Sequence, residues 1–118
     1  AIYSCKNRSN RGLIMVTVKV VCAKDLISSI EIEGHAGFDD SGKDLVCAGA
    51  SSISIGALNA LDQLFKNDCI LEMKENRISI KVKESKEGLE QVLRCILIQL
   101  ETMVESYPEY IRIIRKEV

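Results

Sequence analysis

The stretch from residue 34 to residue 52 holds the residue types that can carry out covalent chemistry, in the order G-H-A-G-F-D-D-S-G-K-D-L-V-C-A-G-A-S-S. It contains His35, the one histidine of the chain, and Cys47, one of five cysteines. A cysteine attacks as its thiolate, and a neighbouring imidazole favours the thiolate by forming an ion pair with it. These residue types fit Cys47 as a nucleophile with His35 as its base, and they also fit a loop histidine beside a small buried cysteine that only packs in the core.

A helix that begins just before Cys47 would strengthen this chemistry. Asp44 is a plausible N-cap, which places Cys47 in a first turn where unpaired N–H groups and the helix dipole favour an anion. The backbone N–H groups of Cys47, Ala48 and Gly49 are then the expected donors to an oxyanion. Asp44 has a second possible role, orienting His35, and one carboxylate does not easily serve both roles.

The segment between His35 and Cys47 has the composition of a loop that closes over a bound peptide. It is polar, it contains glycines at which it can bend, and it has one large apolar residue. A loop of this kind excludes water from a bound substrate. The predicted substrate loop consists of Gly37, Phe38, Asp39, Asp40, Ser41, Gly42 and Lys43.

Hydrophobic periodicity predicts the elements that position these residues. Alternating apolar and polar residues predict five strands, over 15–22, 27–33, 69–73, 78–82 and 110–114. Helical spacing predicts two main helices, from Asp44 to about Lys66 and from Glu87 to about Glu105. The order β-β-α-β-β-α-β indicates an α+β fold with a mostly antiparallel sheet of about five strands.

Length and charge limit the classes of function. A chain of 118 residues forms a single domain, here over 15–118, and the polar, aperiodic segment 1–14 is interpreted as a disordered tail, a tag or an upstream extension. The 16 basic and 17 acidic residues give no electrostatic footprint for nucleic acid or for an anionic membrane. The apolar runs are interpreted as too short and too interrupted to span a bilayer.

The cysteines indicate free thiols in a reducing compartment, hence a cytoplasmic protein. No apolar signal-peptide core is present near the N-terminus, and there is no C-x-x-C pair. A single histidine argues against a structural zinc site, so we expect no metal and no cofactor. Cys22, Cys69 and Cys95 fall on apolar strand or helix faces and are predicted to lie in the core.

From about Met15 onward the chain resembles the ribosomal-processing cysteine proteases, a small bacterial family, in the G-H-A-G-F motif followed by D-L-V-C-A-G-A-S. The resemblance implies a catalytic dyad of His35 and Cys47, with Asp44 as an additional acidic residue. It also places Gly34 and Ser51 in the surrounding site. The implied protein is a cytoplasmic homodimer that removes a short N-terminal extension from the precursor of a large-subunit ribosomal protein (L27 type).

Two other functions are compatible with the same residues. A non-enzymatic, ribosome-associated module would use the loop and the helix start to hold a peptide. A redox-sensing thiol protein would need a resolving cysteine near Cys47, and the sequence places none obviously there.

Overall fold

The computed structural model describes residues 16–34 and 41–118, with side chains from 16–34 and 45–118. These residues form β1 (Val16–Ala23), β2 (Leu26–Glu33), α1 (Ser41–Leu64), β3 (Cys69–Lys74), β4 (Arg77–Val82), α2 (Leu89–Ser106) and β5 (Ile111–Glu117). The predicted α+β class and element order are confirmed. The prediction of a tail over 1–14 lies outside the described residues.

The five strands form one sheet in the order β3-β4-β2-β1-β5. Three neighbouring pairs are antiparallel and the fourth, β1 with β5, is parallel, so the predicted mostly antiparallel sheet is confirmed. The β1–β2 hairpin turns through Lys24 and Asp25, whose φ angles of 55° and 66° are the positive values that a two-residue hairpin turn requires. The parallel pair arises because α2 carries the chain from β4 to the opposite edge of the sheet.

The core lies between one face of the sheet and the two helices. Every second side chain of the central strands is buried on that face, including Val18 and Val20 of β1 and Ile30 of β2, all with no exposed surface. From the helices, Leu61 and Leu100 are equally buried against them. Each Å² of apolar surface that is removed from water stabilises the fold by about 25 cal/mol, so this layer is the main source of stability.

The α1 segment Leu45–Leu64 is long and apolar enough to cross a membrane by length and composition, so the expectation that no apolar run reaches that length is wrong. In the fold this helix serves as a core helix. Its side chains are buried at helical spacing on one side, at Val46, Ala50, Ser54, Ala57 and Leu61. Only 28% of this apolar segment is buried within the chain, however, so much of α1 faces outward.

The face of the sheet turned away from the helices carries charged side chains. They alternate with the buried residues along each strand and form two ion pairs, Lys19 with Glu33 at 2.9 Å and Arg77 with Glu31 at 3.9 Å. The hydrogen bond to Glu33 raises the pKa of Lys19. On this face the register places six cations and three carboxylates, at Lys19, Lys74, Arg77, Lys81, Arg112, Lys116, Glu31, Glu33 and Glu72.

Candidate active site

Gly34 ends β2 and turns the chain out of the sheet. Its φ of 90° lies in the left-handed region, which glycine adopts at little cost and which a Cβ disfavours. Its N–H donates to the carbonyl of Asn76 at 3.2 Å, which ties the end of β2 to the β3–β4 turn. His35 is the next residue in the sequence, and it lies outside the described residues.

The end of β2 lies at the same end of the sheet as the end of α2. Glu33 pairs with Thr17 near the beginning of β1, and the N–H of Val16 donates to the carbonyl of Tyr110 at 2.9 Å. Tyr110 lies in the short connection between the end of α2 at Ser106 and the start of β5. Gly34 and the C-terminal turn of α2 therefore belong to one end of the molecule.

The turn of α1 that carries Cys47 is at this end as well. A Cβ built on Gly49 would lie 3.0 Å from Cε of Met103, which is one turn before the end of α2. Val46 and Ala50 face the core with 1% exposure each, and Cys47 is half-buried at the edge of the core. The topology thus brings the backbone next to His35 and the turn that carries Cys47 to one end of the sheet.

The start of α1 corrects one prediction about Cys47. The helix begins at Ser41, so Asp44 is its fourth residue and not its N-cap, and Cys47 is its seventh and not in the first turn. In a continuous helix the N–H groups of Cys47, Ala48 and Gly49 donate to carbonyls four residues earlier. Their role as oxyanion donors stays a prediction, and it requires the preceding turn of α1 to open when a substrate binds.

The other predicted site residues divide into three groups. Ser51 is half-buried and lies one turn after Cys47 along α1, and Ala48, the residue next to Cys47, is exposed. The predicted substrate loop is wrong at Ser41, Gly42 and Lys43, which form the first turn of α1 because helical hydrogen bonding extends through this polar segment. The remaining loop residues, 37–40, and the side chain of Asp44 lie outside the described residues.

The remaining cysteines have contrasting environments. Cys22 and Cys69 are buried, as predicted, and burial is the main cause that raises the pKa of each thiol. Cys95 is exposed on α2, so its predicted place in the core is wrong. None of the four cysteines in the described residues forms a disulfide, and the same residues contain no group of three metal-ligating side chains.

Met103 is a residue near the site that the sequence prediction left out. It is partly buried and packs against the core, and its side chain approaches the α1 turn next to Cys47. Its position, seven residues after Ile96 and three after Leu100, continues the buried stripe of α2. Helical spacing could therefore have found Met103, but only the crossing of α1 and α2 reveals which turn it meets.

Comparison with known proteins identifies the family of this chain. The family model described as cysteine protease Prp matches residues 15–112. The chain belongs to the Prp family. The Staphylococcus aureus ribosomal processing cysteine protease Prp is 28% identical over 103 residues, which cover 84% of this chain and 97% of that protein.

Solved structures show the same fold. A Streptococcus mutans protein superposes with a TM-score of 0.81 at 26% identity, covering 93% of this chain and 100% of that one. The S. aureus Prp in complex with a substrate peptide gives a TM-score of 0.79 at 26% identity, covering 86% and 100%. The same enzyme with a covalently linked product peptide gives 0.75 at 28% identity, with the same coverage.

Prp membership decides between the functions that the sequence left open. The relatives are named as proteases and one is seen with a covalently linked peptide, so this chain is a cysteine protease and not a binding module or a redox sensor.

Proposed function

We propose that this protease removes the N-terminal extension from a large-subunit ribosomal protein precursor of the L27 type, with Cys47 as nucleophile and His35 as base. The observation that carries the proposal is the convergence of the β2 end and the Cys47 turn of α1 on one end of the sheet. The names of the Prp relatives support ribosomal processing. The covalent peptide of S. aureus Prp supports a covalent intermediate.

The proposed reaction is acyl transfer in two steps. The Cys47 thiolate attacks the scissile carbonyl carbon, a C–S bond forms, and the carbonyl electron pair moves to oxygen. Collapse of this intermediate expels the new N-terminal amine, which takes a proton from the His35 imidazolium. His35 then removes a proton from water, the hydroxide attacks the thioester, and the Cys47 thiolate leaves with the extension released as a carboxylate.

In this proposal most of the activation of Cys47 comes from His35. Cys47 lies six residues after Ser41, about 9 Å along the axis at 1.5 Å per residue. The dipole of a helix stabilises an anion mainly within its first turn, so its effect on a thiolate in the second turn is small. The imidazole, which can form an ion pair with the thiolate, supplies what the helix start does not.

The dyad is tested with the extended precursor and three variants. Cys47→Ser and His35→Ala should each lower kcat/KM by at least about a thousandfold, because each removes a group that makes or breaks bonds. Cys95→Ser changes an exposed thiol on α2 and serves as the matched control with parental activity. Cleavage at the parental rate by either dyad variant would contradict the proposal.

The same proposal includes a homodimer in the reducing cytoplasm. Between Leu45 and Leu61 α1 has no charged residue, yet it exposes the side formed by Ala48, Ser52, Ile55 and Asn59. The large apolar residue on this side, Ile55, is 42% exposed. An uncharged, partly apolar helix face is typical of a surface that becomes buried, and a two-fold axis lets one such face pack against its copy. The four described cysteines, all without disulfides, support a reducing compartment.

A further inference from the structure

Gly49 of α1 lies in close contact with the end of the Met103 side chain of α2. A Cβ at this position would lie 3.0 Å from Cε and 3.4 Å from Sδ of Met103, closer than ordinary van der Waals contact. Gly56, on the same helix, offers an internal comparison, because a Cβ there meets no atom within 4 Å. A side chain at residue 49 would therefore crowd Met103, whereas a side chain at residue 56 would crowd nothing.

Met103 is held in place from two directions. Its side chain is partly buried against the core and lies over Gly49, and its carbonyl accepts the N–H of Tyr107 at 2.8 Å, which closes the last turn of α2. A methionine fits such a gap because its unbranched thioether adapts its shape to a neighbouring surface. The contact therefore joins the fixed end of α2 to the turn of α1 that carries the nucleophile.

The position of the contact determines the direction in which it acts. Residues two apart in a helix project about 200° apart around its axis, so Gly49 and Cys47 lie on nearly opposite flanks of α1. A push on Gly49 from Met103 moves the helix toward the flank from which Cys47 projects. Displacements of a fraction of an ångström at a reacting atom are enough to lower a catalytic rate.

From this geometry we propose that Met103 is a positioning residue: its thioether, seated on Gly49, sets how closely the α1 turn that carries Cys47 packs against α2. This inference rests on the proposed dyad. Met103 lies on the flank opposite Cys47 and acts through the helix, since a bulkier residue at 49 or a smaller one at 103 changes where the sulfur stands and leaves its chemistry intact.

The test is a double-mutant cycle with the extended precursor as substrate. Gly49→Ala should lower kcat about tenfold with KM within about twofold, because the reacting sulfur moves while peptide binding is retained. Its melting temperature should stay near the parental value, since the helix propensity that alanine adds, about 1 kcal/mol, offsets the cost of the tighter contact with Met103. Gly56→Ala, the matched control, should keep the parental kcat.

The second half of the cycle shortens the Met103 side chain, which the new Cβ at residue 49 would contact. Met103→Ala alone should lower kcat, because a smaller residue no longer holds the α1 turn in place. Met103→Ala in the Gly49→Ala background should recover most of the kcat lost in Gly49→Ala, and Met103→Leu alone should stay within about threefold of the parent. A parental kcat in Gly49→Ala, or a double variant whose loss is the product of the single losses, overturns the positioning role. Cys47→Ser measured in parallel separates the two hypotheses: retained turnover there overturns the dyad and the positioning role together, whereas its loss leaves the cycle to decide on Met103 alone.

Discussion

At the scale of single residues, the site depends on how unequally the cysteines are placed. Cys47 is half-buried beside the core, Cys95 is exposed, and Cys22 and Cys69 are buried with pKa values raised above that of an ordinary thiol. A buried thiol with a raised pKa has little thiolate near neutral pH and little access to reagents. The four thiols can therefore be ranked by reactivity.

We predict that limiting iodoacetamide at neutral pH modifies Cys47 first, because His35 stabilises its thiolate. Cys95 should react at the rate of an ordinary exposed thiol. Cys22 and Cys69 should stay unmodified, and they should remain unmodified when the pH is raised toward 8.5. Peptide mapping by mass spectrometry measures the order, and turnover should fall in proportion to modification of Cys47. Alkylation of Cys47 no faster than of Cys95 would argue against an activated nucleophile.

The sequence was sufficient for some residues and insufficient for others. His35 and Cys47 stand out by type and spacing, and the burial of Cys22 and Cys69 follows from strand alternation. Cys95 was misplaced because it lies beside the buried stripe of α2, where a small shift in helical phase moves a residue from the core to the surface. Met103 could not be connected to the Cys47 turn, since the contact depends on how two distant helices cross.

At the scale of elements, strand alternation and helical spacing located all five strands and both helices to within a few residues of the observed bounds. The start of α1 is the exception that matters. The polar residues Ser41, Gly42 and Lys43 read as loop, because serine and glycine favour turns, yet they continue the helix here. Local propensity amounts to less than about 1 kcal/mol per residue, so extension of an existing helix can outweigh it.

The first turn of α2 contains a second structural connection, between Glu90 and the β1–β2 hairpin. Its Oε1 accepts the N–H of Ile27 at 3.0 Å, and its Oε2 lies 3.6 Å from Nη1 of Arg94. The helix has no side-chain cap, because its N-cap is Gly88 at φ 92°, so Glu90 is the acidic group that faces the helix dipole. This carboxylate joins the start of α2 to the sheet.

Glu90→Ala should lower the free energy of unfolding by about 1.5–3 kcal/mol, because a partly buried backbone N–H loses a charged acceptor. Arg94→Ala removes the ion pair and leaves the hydrogen bond, so its cost should stay below about 0.5 kcal/mol. Urea unfolding at neutral pH measures both. Equal losses in the two variants would show that the ion pair, and not the bond to Ile27, stabilises this corner.

At the scale of the whole molecule, a near-neutral composition conceals separated charge. The sheet face turned away from the helices holds six cations and three carboxylates, and the other positions whose side chains the structure describes hold six cations and eleven carboxylates. The net charge of −1 indicated neither the cationic sheet face nor the acidic remainder of the surface. The strand order and the parallel β1–β5 pair were equally out of reach, because neighbours in a sheet are set by packing between distant segments.

The exposed side of α1 leads to a prediction about assembly. We expect light scattering to give twice the chain mass of 13.1 kDa for the parental protein at about 10 μM. A dimer with a Kd of about 1 μM is the main species at that concentration. Ile55→Lys, which places a charge in the proposed interface, should give the single-chain mass. Gln91→Lys adds the same charge to an exposed position of α2 and should stay dimeric. A parental monomer, or an Ile55→Lys dimer, would contradict the proposed surface.

The central claim, that the Cys47 sulfur becomes covalently bonded to the extension of the precursor, is tested most directly by trapping the acyl-enzyme. Parental protein and extended precursor are mixed, quenched in acid during turnover, digested, and examined by mass spectrometry. The fragment containing Cys47 should gain the mass of the extension less one water, whereas Cys47→Ala should gain nothing and should not cleave. An adduct on another residue, or steady cleavage by Cys47→Ala, would contradict it.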